Sequence, residues 1–466
     1  MLDEDIGGPV LRHSFNDEKA YNHIMELTTL EDMQGSDRVT QAYCFFKQNA
    51  DPQKLNFDTI CNRIVFVGID LNYDEDEQQI FDTINSLGVR LTTAELLKNY
   101  FFGREDIEAY KKDWLEIFEK DEETRDYWDQ EITTGRFRRT YIDLFFYAFL
   151  MIIIQDAAYK VSTEDKNQYS KLDRLFDSYK AFIKKYRHGD KSAIIKEIRE
   201  YAITFRSAIS EKPLQEELPA EAGISRINAI MFALDTVTLV PYVLYLEKNV
   251  ADLSVRNEMY AFLETYLMRR LVTRQTTKNY NHLFTERLIL NQVRTKEDLA
   301  QAILDKDASV NRMPTDEEVS EAFHTSVLTN RYAAGVLYLI ECKIRNRSRY
   351  ATQLLGISKY SLEHLMPKKW RNNWIFEGDN VLVAKRDREI LTLGNLAIIT
   401  QALNASIRDA DWETKKVGKG NLGGLKKYAE GIETLSEYLD EPVWNEELIY
   451  KRADYLAQNA LTVWPV

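Results

Sequence analysis

The residues best placed to do chemistry together are Glu363 and His364, in the run Ser361-Leu-Glu-His-Leu-Met-Pro367. They set a carboxylate beside an imidazole. Six histidines occur, His13, His23, His188, His282, His324 and His364, and no two lie three to five residues apart. A zinc-ligand pair on one helix is therefore excluded. There is no GxxxxGKS/T phosphate loop and no GxSxG nucleophile elbow. What remains is a chemistry that needs one histidine. Phosphodiester hydrolysis at a single metal is such a case. A neutral imidazole deprotonates water, and one hard divalent cation on oxygen ligands neutralises charge on the phosphate and the leaving oxygen.

Further along the chain, Asn395 and Asn404 offer amide oxygens that suit Mg²⁺ or Mn²⁺, or hydrogen bonds that would fix the imidazole tautomer. Lys368, Lys369, Arg371, Lys415 and Lys416 supply charge for phosphates. Each feature also has an ordinary explanation. A single Glu-His pair is usually a surface accident, Gly394-Asn395 usually a turn, and Asn404 a helix cap. Their setting adds weight to the functional reading. The chain carries a net charge of −13, yet Lys343 to Lys427 holds 17 Lys and Arg against 8 Asp and Glu, leaving −22 for the remainder. A basic segment on an acidic body is the footprint of a localised phosphate-binding surface. By charge alone, a solvated charged face explains it about equally well.

These residues need elements to hold them. The pattern from Ser361 is a short strand, an excursion of about 30 residues, an apolar strand at Leu393-Gly-Asn-Leu-Ala-Ile-Ile-Thr400, then polar helix starts near Asn404 and Asp411. On a regular strand Glu363 and His364 would point to opposite faces. A distorted hairpin edge, favoured by Pro367, would let them converge. A helix near Arg331–Arg345 leads in. Before it, from about Asp106 to Asn330, the chain reads as helices. Leu172, Leu175, Phe176, Tyr179, Phe182, Ile183 and Tyr186 form one apolar stripe, and Met259, Phe262, Leu263, Tyr266, Leu267 and Leu271 another. Such aromatic stripes are core rather than a base-stacking platform. Leu144 to Ile154 is apolar but far short of the roughly 20 residues that span a bilayer, so it reads as a buried helix. Polar breaks at Glu211–Gly223 and Asp305–Pro314 read as loops. In the first hundred residues Ile64–Leu71 reads as a buried strand, Asn85 and Gly88 as a turn, and Thr92-x-x-Glu95 as a capping box.

The expected architecture is mainly α with small β elements. It divides into residues 1–105, a helical region 106–330, and a carboxyl-terminal domain 331–466. Cys44, Cys61 and Cys342 are widely spaced and form no disulfide framework. With no signal peptide or membrane span apparent, a cytoplasmic protein is the expectation.

The runs EHLMP, LGNLAIIT, LN and KK together resemble the carboxyl-terminal nuclease domain of GmrSD-type modification-dependent restriction enzymes, a variant of the HNH or His-Me finger (ββα-metal) nucleases. The family motif is His-Ile/Val-x-Pro, and His-Leu-Met-Pro departs from it mildly. Trp444-Asn-Glu-Glu-Leu-Ile-x-x-Arg452, Leu456-Ala457 and Trp464-Pro465 resemble that domain's closing helix. FDTINSLGVRLTTAELLKNYFF, from Phe81 to Phe102, resembles the carboxyl half of the family's ParB-like nucleotide-hydrolysing domain. The resemblance implies that His364 is the general base, that Glu363 and Asn404 bind one Mg²⁺ or Mn²⁺, and that Asn395 supports the hairpin and the histidine. It also implies that Lys415 or Lys416 contacts the scissile strand. The Asp-Gly-Gln-Gln-Arg motif that opens the nucleotide-binding half is absent, so no nucleotide site is assigned. The chain is expected to be a split-gene product or a truncated form. A companion chain carrying that half is expected to bind near residues 1–105, although helices of this same chain would cover the apolar strand nearly as well.

The leading expectation is thus a metal-dependent DNA endonuclease of a bacterial anti-phage system. A non-catalytic DNA-binding or sensor subunit and a helical scaffold with a basic docking face are the alternatives. Metal-dependent nicking separates the first from the others, and salt-sensitive DNA binding separates the second from the third.

Overall fold

The structure is a computed structural model. It describes every residue except 1, 4–7, 10–12, 14–16, 36, 52, 64–91, 104–105, 135–136, 172–173, 305–308 and 350–352. The expected strand Ile64–Leu71, the turn at Asn85 and Gly88, and Leu172 lie outside the described residues. The chain divides into two compact units, residues 1–84 and 85–466. In the first, the described helices are Glu18–Glu26, Arg38–Asn49 and Phe57–Arg63. Asp37 caps the second by accepting from the Thr40 amide at 2.7 Å, as an Asp N-cap should.

The second unit is mostly helical, as its apolar periodicity dictates. It opens at Thr93–Phe101 with the expected capping box: Thr92 Oγ1 accepts from the Glu95 amide, and the Thr92 amide donates to Glu95 Oε2. The apolar run forms the helix Tyr141–Ile153, twelve of whose thirteen residues are buried. The two stripes form Leu175–Tyr186 and Leu253–Val272. One antiparallel pair, Glu131–Thr134 with Phe137–Thr140, interrupts the helices. Its β-branched Ile132, Thr133, Thr134 and Thr140 favour the extended form. No described helix is long and apolar enough to cross a membrane.

Packing draws no line near residue 330. The helix Asp316–Thr325 lies on the long final helix Glu446–Val463, and Asn330–Ile344 packs on that helix and on the strands that follow. Polar anchors reinforce the join. Arg226 and Glu264 form a bidentate pair inside the helical layer, and Glu264 Oε1 also accepts from the Trp464 indole at 3.0 Å. Arg269 donates to the Trp464 carbonyl at 2.7 Å and to the Pro314 carbonyl at 3.1 Å. These charges are buried, which is tolerable only because each is paired and hydrogen-bonded.

The strands Tyr360–His364 and Leu396–Thr400 form an antiparallel hairpin with unbroken register, Tyr360 opposite Thr400 and His364 opposite Leu396. The helix Asn380–Glu389 fills the excursion between them. A short helix, Gln401–Ile407, follows directly. The order is therefore strand, strand, helix.

Candidate active site

His364 is the last paired residue of its strand, and Pro367 soon ends any continuation. The hairpin is regular at Glu363 and His364, facing Ala397 and Leu396 in turn. The distorted edge expected from Pro367 is not found, because both residues keep their ladder partners. The two side chains therefore leave the strand on alternate sides.

Glu363 is buried and shares its strand face with Ser361. Its Oε1 accepts from the Lys415 ammonium, whose Nζ also donates to the His364 carbonyl at 2.7 Å. Lys415 is 0 % exposed. Burial pushes the Glu363 carboxyl up against the pull of Lys415, and pushes the Lys415 ammonium down against the pull of Glu363. Lys416 is buried too and donates to the Glu441 carbonyl at 2.9 Å. Neither lysine lies on a surface open to a DNA strand, contrary to the expectation for both. Their helix, Trp412–Val417, turns that face inward, and the Trp412 indole fixes it on the same Glu441 carbonyl at 2.9 Å.

The His364 ring makes no hydrogen bond among the described residues. Burial, Lys368 and Lys415 together pull its pKa down to about 4. At neutral pH it is thus an uncharged base with a nitrogen free to take a proton.

Asn404 is the fourth residue of its helix and closes the first turn, while Thr400 is the cap and accepts from the Leu403 amide. Its Nδ2 donates to Ser361 Oγ at 3.2 Å and to the Leu362 carbonyl at 2.9 Å. Its Oδ1 has no partner among the described residues. Asn404 thus lies on the Ser361–Glu363 face.

Asn395 is a brace. Its Oδ1 accepts from the Met366 amide at 2.8 Å and from the Trp444 indole at 2.9 Å, and its Nδ2 donates to the Met366 and Ile390 carbonyls, both at 2.8 Å. All four of its hydrogen-bonding positions are used, so the hairpin is supported but the imidazole receives no bond from it. Gly394 beside it is required: an added Cβ would lie 2.2 Å from the Ile449 carbonyl oxygen. Arg452, wholly buried, donates to the carbonyls of Leu393, Gly394 and Leu396 and to that of Thr434. Trp444 and Arg452 belong to the closing-helix pattern of the sequence, but nothing local there assigns them these partners.

Lys368 and Lys369 are exposed. Arg371 is half-committed, pairing with Asp387 at 2.7 Å over the Trp370 ring. One cation was not anticipated. Arg408 is exposed at the end of the Asn404 helix in a left-handed conformation, φ 40°, which costs a non-glycine residue energy. The next residue, Asp409, holds Asn372 and Asn373 at 2.8 Å each, which ties this loop to the Lys368–Arg371 segment. Sequence offers no signal for that strain.

Residues 313–459 match the model of the GmrSD restriction endonucleases' C-terminal domain. This part of the chain is similar to the GmrSD C-terminal domain. A comparison with curated proteins finds no match. The matched GmrSD segment begins at Met313, ahead of the expected boundary at 331, and so takes in the helix Asp316–Thr325 that packs on the final helix. The hairpin, its braces and the Lys368–Arg371 segment all lie inside the matched residues.

Whether a divalent cation fits the GmrSD domain depends on its free oxygens. Among the described residues no three His, Cys, Asp or Glu side chains cluster as a ligand set. Mg²⁺, however, commonly keeps several waters and takes only one or two protein carboxylates beside substrate phosphates. Asn404 Oδ1, with no partner among the described residues, lies on the hairpin face of Glu363, whose Oε1 is taken by Lys415, and two such oxygens would suit that modest demand.

Proposed function

We propose that this chain is a metal-dependent DNA endonuclease of an anti-phage restriction system, of the His-Me finger (HNH-like) class. The observation that supports it best is an uncharged His364, without a hydrogen-bond partner among the described residues, at the end of a hairpin inside the matched segment and beside two exposed lysines. In this reading His364 takes the proton of the attacking water. Glu363 and Asn404 would hold one Mg²⁺ or Mn²⁺, which when bound supplies charge neutralisation at the phosphate and leaving oxygen. Lys368, Lys369 and Arg408 hold the phosphates. Lys415, from the interior, orients the Glu363 carboxylate rather than touching DNA. The decisive experiment is incubation of supercoiled plasmid with the protein and Mg²⁺ or Mn²⁺. Metal-dependent nicked or linear product supports the reading, and intact plasmid under all conditions sinks it. The commitment of Glu363 Oε1 to Lys415 favours one alternative, a DNA-binding subunit that does not cut, and the same assay separates the two.

Asn404→Ala should shift the Mg²⁺ titration of cleavage to higher concentration while DNA affinity stays within error. An unaltered titration would show that Asn404 is no ligand. Lys368→Glu with Lys369→Glu should weaken DNA binding equally across sequences, because phosphate contacts do not read bases. The slope of log K against log salt should flatten by about 0.9 for each lost phosphate contact. An unchanged slope would move the interface elsewhere. Residues near 1–105 would in addition engage a companion chain that makes cutting responsive to nucleotide. A monodisperse monomer that cleaves at full rate with no companion and no nucleotide, in sedimentation and activity assays, would remove that element.

A further inference from the structure

We propose that Lys415 is an internal counter-ion that holds Glu363 when no divalent cation is bound and sets how tightly that cation binds. This rests on the reading of Glu363 as a ligand. A carboxylate this buried needs a positive partner, and among the described residues Lys415 is the charge that pulls on it. The ammonium bonds Glu363 Oε1 and the His364 carbonyl. Nor is Lys415 free to drift. Asp411 caps its helix by accepting from the Thr414 amide at 2.9 Å, and the neighbouring Lys416 and Trp412 are both fastened on the Glu441 carbonyl. The lysine backbone is therefore fixed, and its charge is delivered to the carboxylate by the fold.

The sign of the effect follows from charge. An uncharged hydrogen-bonding neighbour orients a ligand and raises its basicity, so its removal weakens metal binding. A buried ammonium also repels the incoming cation, and in a site of low effective dielectric that repulsion outweighs the orientation it provides. Removing the charge should therefore strengthen divalent-ion binding while weakening the metal-free fold.

The test uses the full chain, Mn²⁺ alone, titration calorimetry and thermal melts. Lys415→Met removes the charge, and Lys415→Gln removes it while keeping a donor for Glu363. Both should melt lower than wild type without Mn²⁺. Both should bind Mn²⁺ more tightly, by about ten-fold or more. Both should gain more melting temperature from a fixed Mn²⁺ concentration, since stabilisation grows with the ratio of ligand to Kd. Adding Glu363→Gln to Lys415→Gln should erase the gain. A variant that folds only with Mn²⁺ also supports the proposal, and failure of both to fold with or without Mn²⁺ overturns it. Equal or weaker Mn²⁺ binding in the neutral variants, with wild type binding normally, overturns it but leaves the metal reading standing. No Mn²⁺ binding by any form, wild type included, overturns both.

Discussion

His364→Ala is expected to lower metal-dependent cleavage by about 10²–10⁴-fold, the usual contribution of a positioned general base, with circular dichroism unchanged. The fold should survive because the ring makes no hydrogen bond that the hairpin relies on. The strand at this point is held by backbone pairing to Leu396, by the Leu365 amide on the Asn395 carbonyl at 2.9 Å, and by Asn395 below it. The pH dependence follows from the same environment. The base acts when neutral, and burial, Lys368 and Lys415 bring its pKa to about 4. Lowering the pH from 7 to 5 should therefore cost little through this group, and activity should fall only as the pH approaches 4. An ordinary histidine would begin to fail near 6.5. Full activity in the alanine variant would sink the assignment. An inflection near 6.5 that belongs to His364 would show that water reaches the ring.

The second large effect concerns stability. Arg452→Ala should destabilise the second unit by about 3–5 kcal/mol, the range for breaking a buried, charged hydrogen-bond centre. Arg452 is 0 % exposed, and burial draws its pKa down to about 10, so the guanidinium stays charged at neutral pH. It serves four carbonyls at once, three of them in the turn that starts the Leu396 strand. Alanine leaves these oxygens unpaired in a dry interior, and each such loss costs about 1–3 kcal/mol. Denaturant unfolding should show the midpoint fall. A change under about 1 kcal/mol would mean that water or another side chain takes over the role.

Much of this architecture was legible locally. The capping box at Thr92, the largely apolar Tyr141–Ile153 helix and the two stripes are short-range patterns, and local sterics and periodicity decide them. The hairpin could be read from the apolar run Leu396–Thr400 and the Pro367 stop. The environment of the site could not. Nothing in Lys415-Lys416 distinguishes a solvated pair from two lysines buried against partners far along the chain. Glu363 lies 52 residues from Lys415, and such pairings depend on how helices pack, not on spacing. The pattern placed Asn404 near a helix start, where it lies, but the cap there is Thr400. The basic surplus was a fair guide to the region but a poor guide to individual residues. Arg345, Arg347, Arg349, Arg371, Arg386, Lys415 and Lys426 are each paired with a carboxylate, which narrows the cationic surface well below the formal count.

The braces of the hairpin bear on the order in which the site is made. A ribosome delivers His364 and the Leu396 strand first, while Trp444 and Arg452, which hold Asn395 and the turn beside it, are added 49 to 59 residues later. Until they arrive, one acceptor position on the Asn395 side chain and the carbonyls of Leu393, Gly394 and Leu396 lack these donors and must keep water. Vectorial synthesis therefore delays the finished site: a nascent chain that has already exposed its histidine still lacks the supports that hold the histidine's strand, and they come only with the final helix.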